Sequence, residues 1–336
     1  MEMMQAIVGI DVSKKKLDVA LLVNGKIKSK VIENAGAGFQ QLLDWLGKFK
    51  LSPACCHVCM EATGIYYEAV ALALHDAGMK VSVVNPGCVK GYAQSENLRN
   101  KTDSVDAALI ARYCATMKPA LWQPPSLEQR QLRAWSVRVQ ALKDIRQQEA
   151  NRLEVHQITG MSDVAEHVAQ HIAWLNKEIK ALEETIDDHI DHHPDLKRDA
   201  DLLTSIPGMG NTTAARILGH VGDLRRFTSA KSFAAFLGVT PRQRSSGTSL
   251  RGRTTLSRTG SCALRAALYM PSLVASRHNP LLRNFSERLR TTGMAKKAVL
   301  GAVMHKLARL MYAVIRSGKP FDENYLAKEL AIQDGI

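Results

Sequence analysis

The N-terminal part of the chain alternates short apolar runs with turn signals. Ala6 to Asp11 is a β-branched run that predicts a buried strand ending in a carboxylate. Lys16 to Val23 and Lys26 to Glu33 are also strand-like, and Asn24-Gly25 between them is the two-residue signal of a type I′ hairpin. The chain is therefore predicted to open with three strands, the first of which ends in an acid.

Helical and strand-like segments alternate after this hairpin. Gly36 to Phe49 and Tyr66 to Ala77 have apolar residues at helical spacing, whereas Cys55 to Met60 and Lys80 to Val84 predict a fourth and a fifth strand. A further long helix follows. The predicted order βββαβαβ is the one found in RNase-H-like nuclease domains, so the predicted class of residues 1–120 is α/β.

The chain beyond this point has the periodicity of helices. Pro119, Pro124 and Pro125 interrupt the pattern, and we place a domain boundary there. An imperfect apolar stripe and then a strict heptad stripe predict a helical hairpin with coiled-coil character over residues 121–195, either packed on itself or used for dimerisation. The apolar positions of this arm are Leu132, Trp135, Val139, Leu142 and Leu153, then Val168, Ile172, Leu175, Ile179, Leu182 and Ile186.

Residues 196–336 predict an all-α third domain. Its helices are expected at Cys262 to Ala275, Pro280 to Arg290 and Ala295 to Ile315. The earlier turn that contains Gly208 and Gly210 resembles a helix-hairpin-helix, in which glycines let the backbone approach a DNA phosphate and helix amides face the anion. An ordinary tight turn between helices is the alternative interpretation.

Charge indicates the class of partner. The chain has 45 Lys and Arg against 32 Asp and Glu, a net charge of +13, which predicts a polyanionic partner. Nucleic acid is the first candidate for this partner, and a membrane surface is the second. Residues 241–310 contain fourteen Lys or Arg and one acid, so the polyanion site is expected there. Within it, Arg242, Arg244, Arg251 and Arg253 flank a hydroxyl-rich segment and are candidate phosphate contacts.

The chain shows neither a signal peptide nor an apolar run long enough to span a membrane, which predicts a cytoplasmic protein without a membrane partner. Cys56 and Cys59 have the spacing of zinc ligands, but no second pair follows them. We interpret them, like the other four cysteines, as reduced core residues.

Four carboxylates are candidates for one metal site. Asp11 and Glu61 each end a predicted strand, and Asp103 and Asp106 are three residues apart in a helix, so their side chains share one helical face. Asp103 as an N-cap with Asp106 in the first turn is the competing explanation. Oxygen ligands of this kind suit Mg²⁺, with Mn²⁺ as a substitute, and two such ions support phosphodiester cleavage or strand transfer.

A related fold competes with this interpretation. Actin-like and sugar-kinase domains also place an Asp at the end of the first of three strands. They predict a glycine-rich phosphate hairpin after that acid, whereas Val12-Ser13-Lys14-Lys15 follows Asp11. The nuclease interpretation is therefore preferred.

Several motifs together resemble a known family. Gly9-Ile10-Asp11, Glu61-Ala62-Thr63-Gly64, Lys101-Thr102-Asp103-Ser104-Val105-Asp106 and Ser246-Gly247 are similar to motifs of the Asp-Glu-Asp-Asp (RuvC-like) insertion-sequence transposases, relatives of the Piv-type DNA invertases. The resemblance implies a RuvC-like catalytic domain whose four acids are Asp11, Glu61, Asp103 and Asp106. It also implies a C-terminal transposase domain with a nucleophilic serine at Ser246; Ser245 and Ser249 are rivals for that role.

The same resemblance implies the reaction and its partners. Donor and target DNA are cut and rejoined through a phosphoserine intermediate, a bridge RNA guides the choice of both, and homodimers assemble into a tetramer in which the acids and the serine of one site come from different subunits. A Holliday-junction resolvase that uses the same acids with water is the first rival. A non-catalytic nucleic-acid-binding protein is the second.

Overall fold

The computed structural model describes residues 6–62, 64–96, 103–242, 245–246, 250–251, 255–257 and 259–323, with the backbone only at 103, 104, 245, 246, 250 and 251. The chain divides into two compact units, Met1–Pro124 and Pro125–Ile336. The first is built on a mixed sheet, and the second is mostly helical.

A five-stranded sheet forms the first unit. Its strands are β1 (Ala6–Val12), β2 (Lys16–Val23), β3 (Lys26–Glu33), β4 (Cys56–Glu61) and β5 (Lys80–Val84), in the order β3-β2-β1-β4-β5. β1 to β3 are antiparallel, whereas β4 and β5 run parallel to β1. The predicted order of elements is confirmed. Asn24 and Gly25 both have positive φ, 49° and 72°, as the predicted type I′ turn requires.

Helices cover both faces of this sheet. They are α1 (Gly36–Gly47), α2 (Tyr67–Asp76), α3 (Pro86–Ser95) and α4 (Asp103–Met117). One face of β1 and β2 packs in the main core with α1 and α2, and α4 lies on the other face. The sequence analysis missed α3: Asn85 does not simply end β5, because its side chain accepts a hydrogen bond from the Gly87 amide and so caps a new helix.

The second unit begins with two long helices, α5 (Leu127–Ile158) and α6 (Ser162–Asp191). They are antiparallel, because the Lys143 ammonium contacts the Glu183 carboxylate at 2.6 Å while Arg146 donates to Asn176. Most of the predicted apolar positions face inwards. Those that are buried are Leu132, Val139, Leu142, Val168, Leu175, Ile179 and Ile186. The pair therefore packs on itself.

Shorter helices complete this unit and share a core with the base of the α5–α6 pair. They are α7 (Pro194–Thr204), α8 (Asn211–Val221), α9 (Ala230–Phe236), α10 (Cys262–Ala267), α11 (Tyr269–His278), α12 (Pro280–Thr291) and α13 (Lys296–Ser317). In the described part of the chain, α13 alone is long and apolar enough to span a membrane by composition, and most of it is buried in this core.

Three further predictions are wrong in detail, and the first two concern residues 196–336, for which the sequence predicts an all-α domain. The region is not all-α, since four two-residue strands occur: β6 (Pro241–Arg242), β7 (Ser245–Ser246), β8 (Leu250–Arg251) and β9 (Thr255–Leu256). The helix predicted from Cys262 to Ala275 is broken at Leu268, because Pro271 has no amide hydrogen to donate to Ala267. Cys88 and Cys262 are exposed, so they are not core residues.

Candidate active site

Two of the predicted acids stand at the ends of neighbouring parallel strands. In the β1–β4 ladder Ile10 pairs with Met60, and the next residues of the two strands are Asp11 and Glu61. Both side chains are half-buried. Because parallel strands end at the same edge of a sheet, the fold brings these two carboxylates to one edge, as the sequence predicts.

Asp11 lies on the side of the sheet that α4 covers. The even-numbered residues of β1 are buried in the core on the opposite side. At Gly9 a Cβ would overlap the carbonyl oxygen of Ala107 and the amide of Ala111, so that position faces the α4 backbone directly. Side chains two residues apart on a strand share a face, and Asp11 therefore shares the face of Gly9.

The direction of α4 decides where its acids lie. Just beyond the end of α4, the carbonyls of Pro119 and Ala120 accept hydrogen bonds from Ser82, the middle residue of β5, at 3.2 and 2.9 Å, and the Trp122 amide donates to Val81, its second residue. The helix thus ends beside the starts of the parallel strands. Its first turn, with Asp103 and Asp106, is directed towards the strand ends that carry Asp11 and Glu61.

The two acids of α4 belong to adjacent stripes of the helix. Asp103 precedes Ala107 by four residues and is on the stripe that packs on β1, although only its backbone is described. Asp106 precedes Ile110 by four residues, and Ile110 packs with Cys59 of β4. Asp106, which is half-buried, is therefore on the side of α4 nearest the strand that ends in Glu61.

The donors suit a hard divalent cation. Carboxylate oxygens are the ligands that Mg²⁺ and Mn²⁺ take in proteins. Among residues with described side chains, no three Asp, Glu, His or Cys groups converge on one point; Asp103, the fourth expected ligand, is not in that set. The residue types and their common edge fit the metal, and the metal-ligand roles remain predictions.

A pair of buried thiols lies directly behind the acids. Cys59, two residues before Glu61, shares a hydrogen bond with Cys114 of α4. That hydrogen bond, burial and the Glu61 charge all raise the pKa of Cys59, whereas the hydrogen bonds from Cys59 and His57 lower the pKa of Cys114 to about 6. Cys56 packs in the core on the other face of the sheet. Cys56 and Cys59 therefore point apart and cannot share a zinc ion.

Sequence reasoning missed one residue that shapes this edge. The side-chain amide of Asn34 donates to the carbonyl of Ser13 at 2.9 Å and to that of Tyr66 at 3.1 Å. It ties the turn after Asp11 to the segment after Glu61. Asn34 follows β3 as an unremarkable polar residue, so the sequence offered no signal for this role.

The candidate serine lies in two nested antiparallel strand pairs. Pro241–Arg242 pairs with Thr255–Leu256, and inside it Ser245–Ser246 pairs with Leu250–Arg251. These strands do not belong to the all-α domain that the sequence predicts. Arg242 is exposed, as a phosphate contact must be. Of the other candidates, Arg244, Ser249 and Arg253 lie outside the described residues. Ser245, Ser246 and Arg251 are described by their backbone alone.

The helix-hairpin-helix candidate joins α7 to α8. Gly208 has a φ of 104°, and a Cβ there would lie 2.7 Å from the amide nitrogen and the Cβ of Ala275. Internal packing against α11 thus accounts for this glycine. Gly210 is exposed just before α8 with open space around it. A phosphate contact at Gly210 stays a prediction.

Comparisons with known proteins place both units of the chain in one family. The family described as "Transposase IS116/IS110/IS902 family" matches residues 200–287, and an IS110-type DEDD "Transposase" family matches residues 8–156. The "Pilin gene-inverting protein" of Moraxella bovis is 34% identical over 327 residues, which are 96% of this chain and 99% of that protein. The chain belongs to the IS110/IS116 transposase family.

Other relatives of this IS110/IS116-family protein are more distant. The "Transposase for insertion sequence element IS1328" of Yersinia enterocolitica is 26% identical, over 80% of this chain and 87% of that one. Among solved structures, "T. thermophilus RuvC in complex with Holliday junction substrate" matches 35% of this chain and 98% of that chain, with 17% identity and a TM-score of 0.27. Membership of this transposase and DNA invertase family implies DNA recombinase activity.

Proposed function

We propose that this protein cuts and rejoins donor and target DNA by transesterification, with Asp11, Glu61, Asp103 and Asp106 as ligands of divalent metal ions and Ser246 as the nucleophile. The observation behind the metal site is the common sheet edge of Asp11 and Glu61, with the first turn of α4 directed to it. Bound Mg²⁺ would supply charge stabilisation for the attacking and leaving oxygens.

The serine step conserves the energy of the phosphodiester. The Ser246 hydroxyl loses its proton as its oxygen bonds to phosphorus, and the departing sugar oxygen gains a proton as its bond to phosphorus breaks. One ester replaces another, so the strand can be passed to a new sugar hydroxyl without an external energy source. A free serine hydroxyl is a weak nucleophile, which is why the acids and their metal ions are required.

The partners in this proposal are a bridge RNA that pairs with donor and target DNA, and a tetramer of the chain. Family membership supports them, and the basic segment around Arg242 supports a polyanionic partner. In that arrangement the RNA reads sequence, and the protein contributes charge and catalysis.

Inversion of a DNA segment is a second candidate outcome. Relatives named for pilin gene inversion match this chain over 96% of its length. The strand chemistry is the same, and the arrangement of the two DNA sites on one molecule decides between inversion and insertion. A plasmid with inverted sites and a two-plasmid assay would separate the outcomes.

The deciding experiment is a denaturing-gel assay for a protein–DNA adduct with purified protein, candidate bridge RNA, donor and target DNA and Mg²⁺. We expect an adduct with wild type, none with Ser246→Ala, and at least a hundredfold loss with Asp106→Ala. Ser245→Ala tests the register, and Asp44→Asn, at an exposed acid of α1, is the matched control. Cleavage by Ser246→Ala without an adduct would instead favour a resolvase-like nuclease that uses water.

A further inference from the structure

A fifth carboxylate lies beside the predicted metal ligands. In the β1–β2 ladder Asp18 is directly opposite Asp11. Two residues further along β2, Ala20 packs against Ala107 and Ala111 of α4, so Asp18 is on the same face of the sheet as Asp11. Only 6% of Asp18 is exposed to solvent.

Sheet stability does not explain an acid at this position. Residues directly opposite in an antiparallel pair have Cβ atoms about 4.5–5.5 Å apart, and like charges there are destabilising. A buried carboxylate also loses its hydration and needs a compensating partner. An apolar residue at position 18 would avoid both costs.

Lys16 supplies part of the compensation. Its ammonium lies 3.1 Å from Asp18 Oδ2, and its side chain is 46% exposed whereas that of Asp18 is 8% exposed. The cation therefore faces water and the anion faces the site. Lys16 carries a single positive charge, so by itself it offsets no more than one carboxylate of this pair.

We propose that Asp18 is a positioning residue of the metal site: its charge strengthens binding of divalent cations by the four acids, and Lys16 limits that effect. The inference rests on the proposed metal site and adds a residue to it. Asp18 acts through the electrostatic field of its carboxylate at Asp11, and it is not assigned as a metal ligand. Removal of either charge should therefore shift metal affinity, and in opposite directions.

The test is Mn²⁺ binding by the full-length protein without nucleic acid, followed by electron paramagnetic resonance of free Mn²⁺. We expect Asp18→Asn to raise the Mn²⁺ dissociation constant tenfold or more and Lys16→Met to lower it severalfold. Asp11→Asn removes the site, and Asp44→Asn, at an exposed acid of the same unit, leaves binding unchanged. Thermal unfolding with and without Mn²⁺ should show a smaller metal-induced rise in Tm for Asp18→Asn.

The outcomes separate this inference from the proposed function. If Asp11→Asn binds as much Mn²⁺ as wild type, the metal site is refuted, and the role of Asp18 with it. If Asp11→Asn loses binding but Asp18→Asn keeps wild-type affinity, Asp18 is only a structural partner of Lys16 and this inference alone fails. Should Asp18→Asn not fold, Lys16→Met decides: tighter binding supports the inference, and unchanged or weaker binding overturns it.

Discussion

At Gly9 the sheet meets a helix with no side chain between them. The residue is in the middle of β1, and a Cβ there would overlap the backbone of α4 at Ala107 and Ala111. Backbone atoms on a packed helix cannot rotate away as a flexible side chain can. The separation of β1 and α4, and with it the distance between Asp11 and the first turn of α4, is set by this one glycine.

We expect Gly9→Ala to lower the free energy of unfolding by about 1–3 kcal/mol, the usual cost of overpacking a core. The matched control is Gly47→Ala at the exposed end of α1, where nothing lies near an added Cβ and replacing a helical glycine should be neutral or stabilising by up to about 1 kcal/mol. Urea unfolding of the full-length protein measures both. If the two variants are equally stable, α4 can shift to accommodate the added Cβ, and the prediction is wrong.

Among the elements, α5 and α8 make an unusually close pair. A Cβ at Gly219 of α8 would lie 2.8 Å from the Arg133 amide nitrogen of α5, so the helices touch there through glycine. The next residue, His220, is half-buried. Burial, with the neighbouring charges of Arg133 and Arg216, lowers the pKa of His220 to about 4.

This pKa predicts acid sensitivity of the helical unit. Below its ordinary pKa of 6.5 the unfolded chain protonates His220, but the folded protein does so only near pH 4, so stability is complete above 6.5 and falls as pH drops from 6.5 to 4. The contribution is at most about 3 kcal/mol. The His220→Gln variant should lose less free energy of unfolding than wild type between pH 6.5 and pH 4, as measured by denaturant unfolding. The control is His278→Gln at an exposed position, whose stability should depend on pH as that of wild type does. If wild type and both variants lose stability equally over this range, the assignment to His220 is refuted.

The whole molecule is a polycation whose excess charge is concentrated in its C-terminal third. Binding of DNA by such a chain releases counterions, so affinity falls as salt rises. Replacing Arg242, Arg244, Arg251 and Arg253 by Gln should reduce the slope of log K against log salt by roughly 3 to 4, about 0.9 for each lost phosphate contact. This slope is measured by filter binding of DNA over a salt range of roughly 50 to 300 mM. Lys48→Gln is the control. If the fourfold variant has the same slope as this control, the four arginines do not contact phosphates.

The sequence predicted the parts of this molecule that follow from local pattern. Asp11 and Glu61 could be placed because an apolar run ends at each, and Asp106 because helical spacing puts it on one face with Asp103. Asp18 could not be placed, since its position opposite Asp11 depends on the β1–β2 register. That register is set by a short turn in which Ser13 bonds to the Lys16 carbonyl at 2.8 Å.

The strand pairs around Ser246 were missed for a different reason. Each strand has two residues, which is too short for the alternation that identifies a strand. The packing of Gly208 against Ala275 likewise depends on α11, more than sixty residues further along the chain. Local pattern contains neither contact.

The division of the chain also orders events during its synthesis. All four acids lie before residue 107, in a unit with its own core, and the serine segment follows at 245–246. A ribosome adding roughly 5–20 residues per second takes on the order of ten seconds to pass from one to the other. The first unit can therefore fold on the ribosome and assemble its acids well before Ser246, the proposed nucleophile, is translated. In the proposed mechanism each nascent chain therefore lacks its nucleophile until most of its length has been translated.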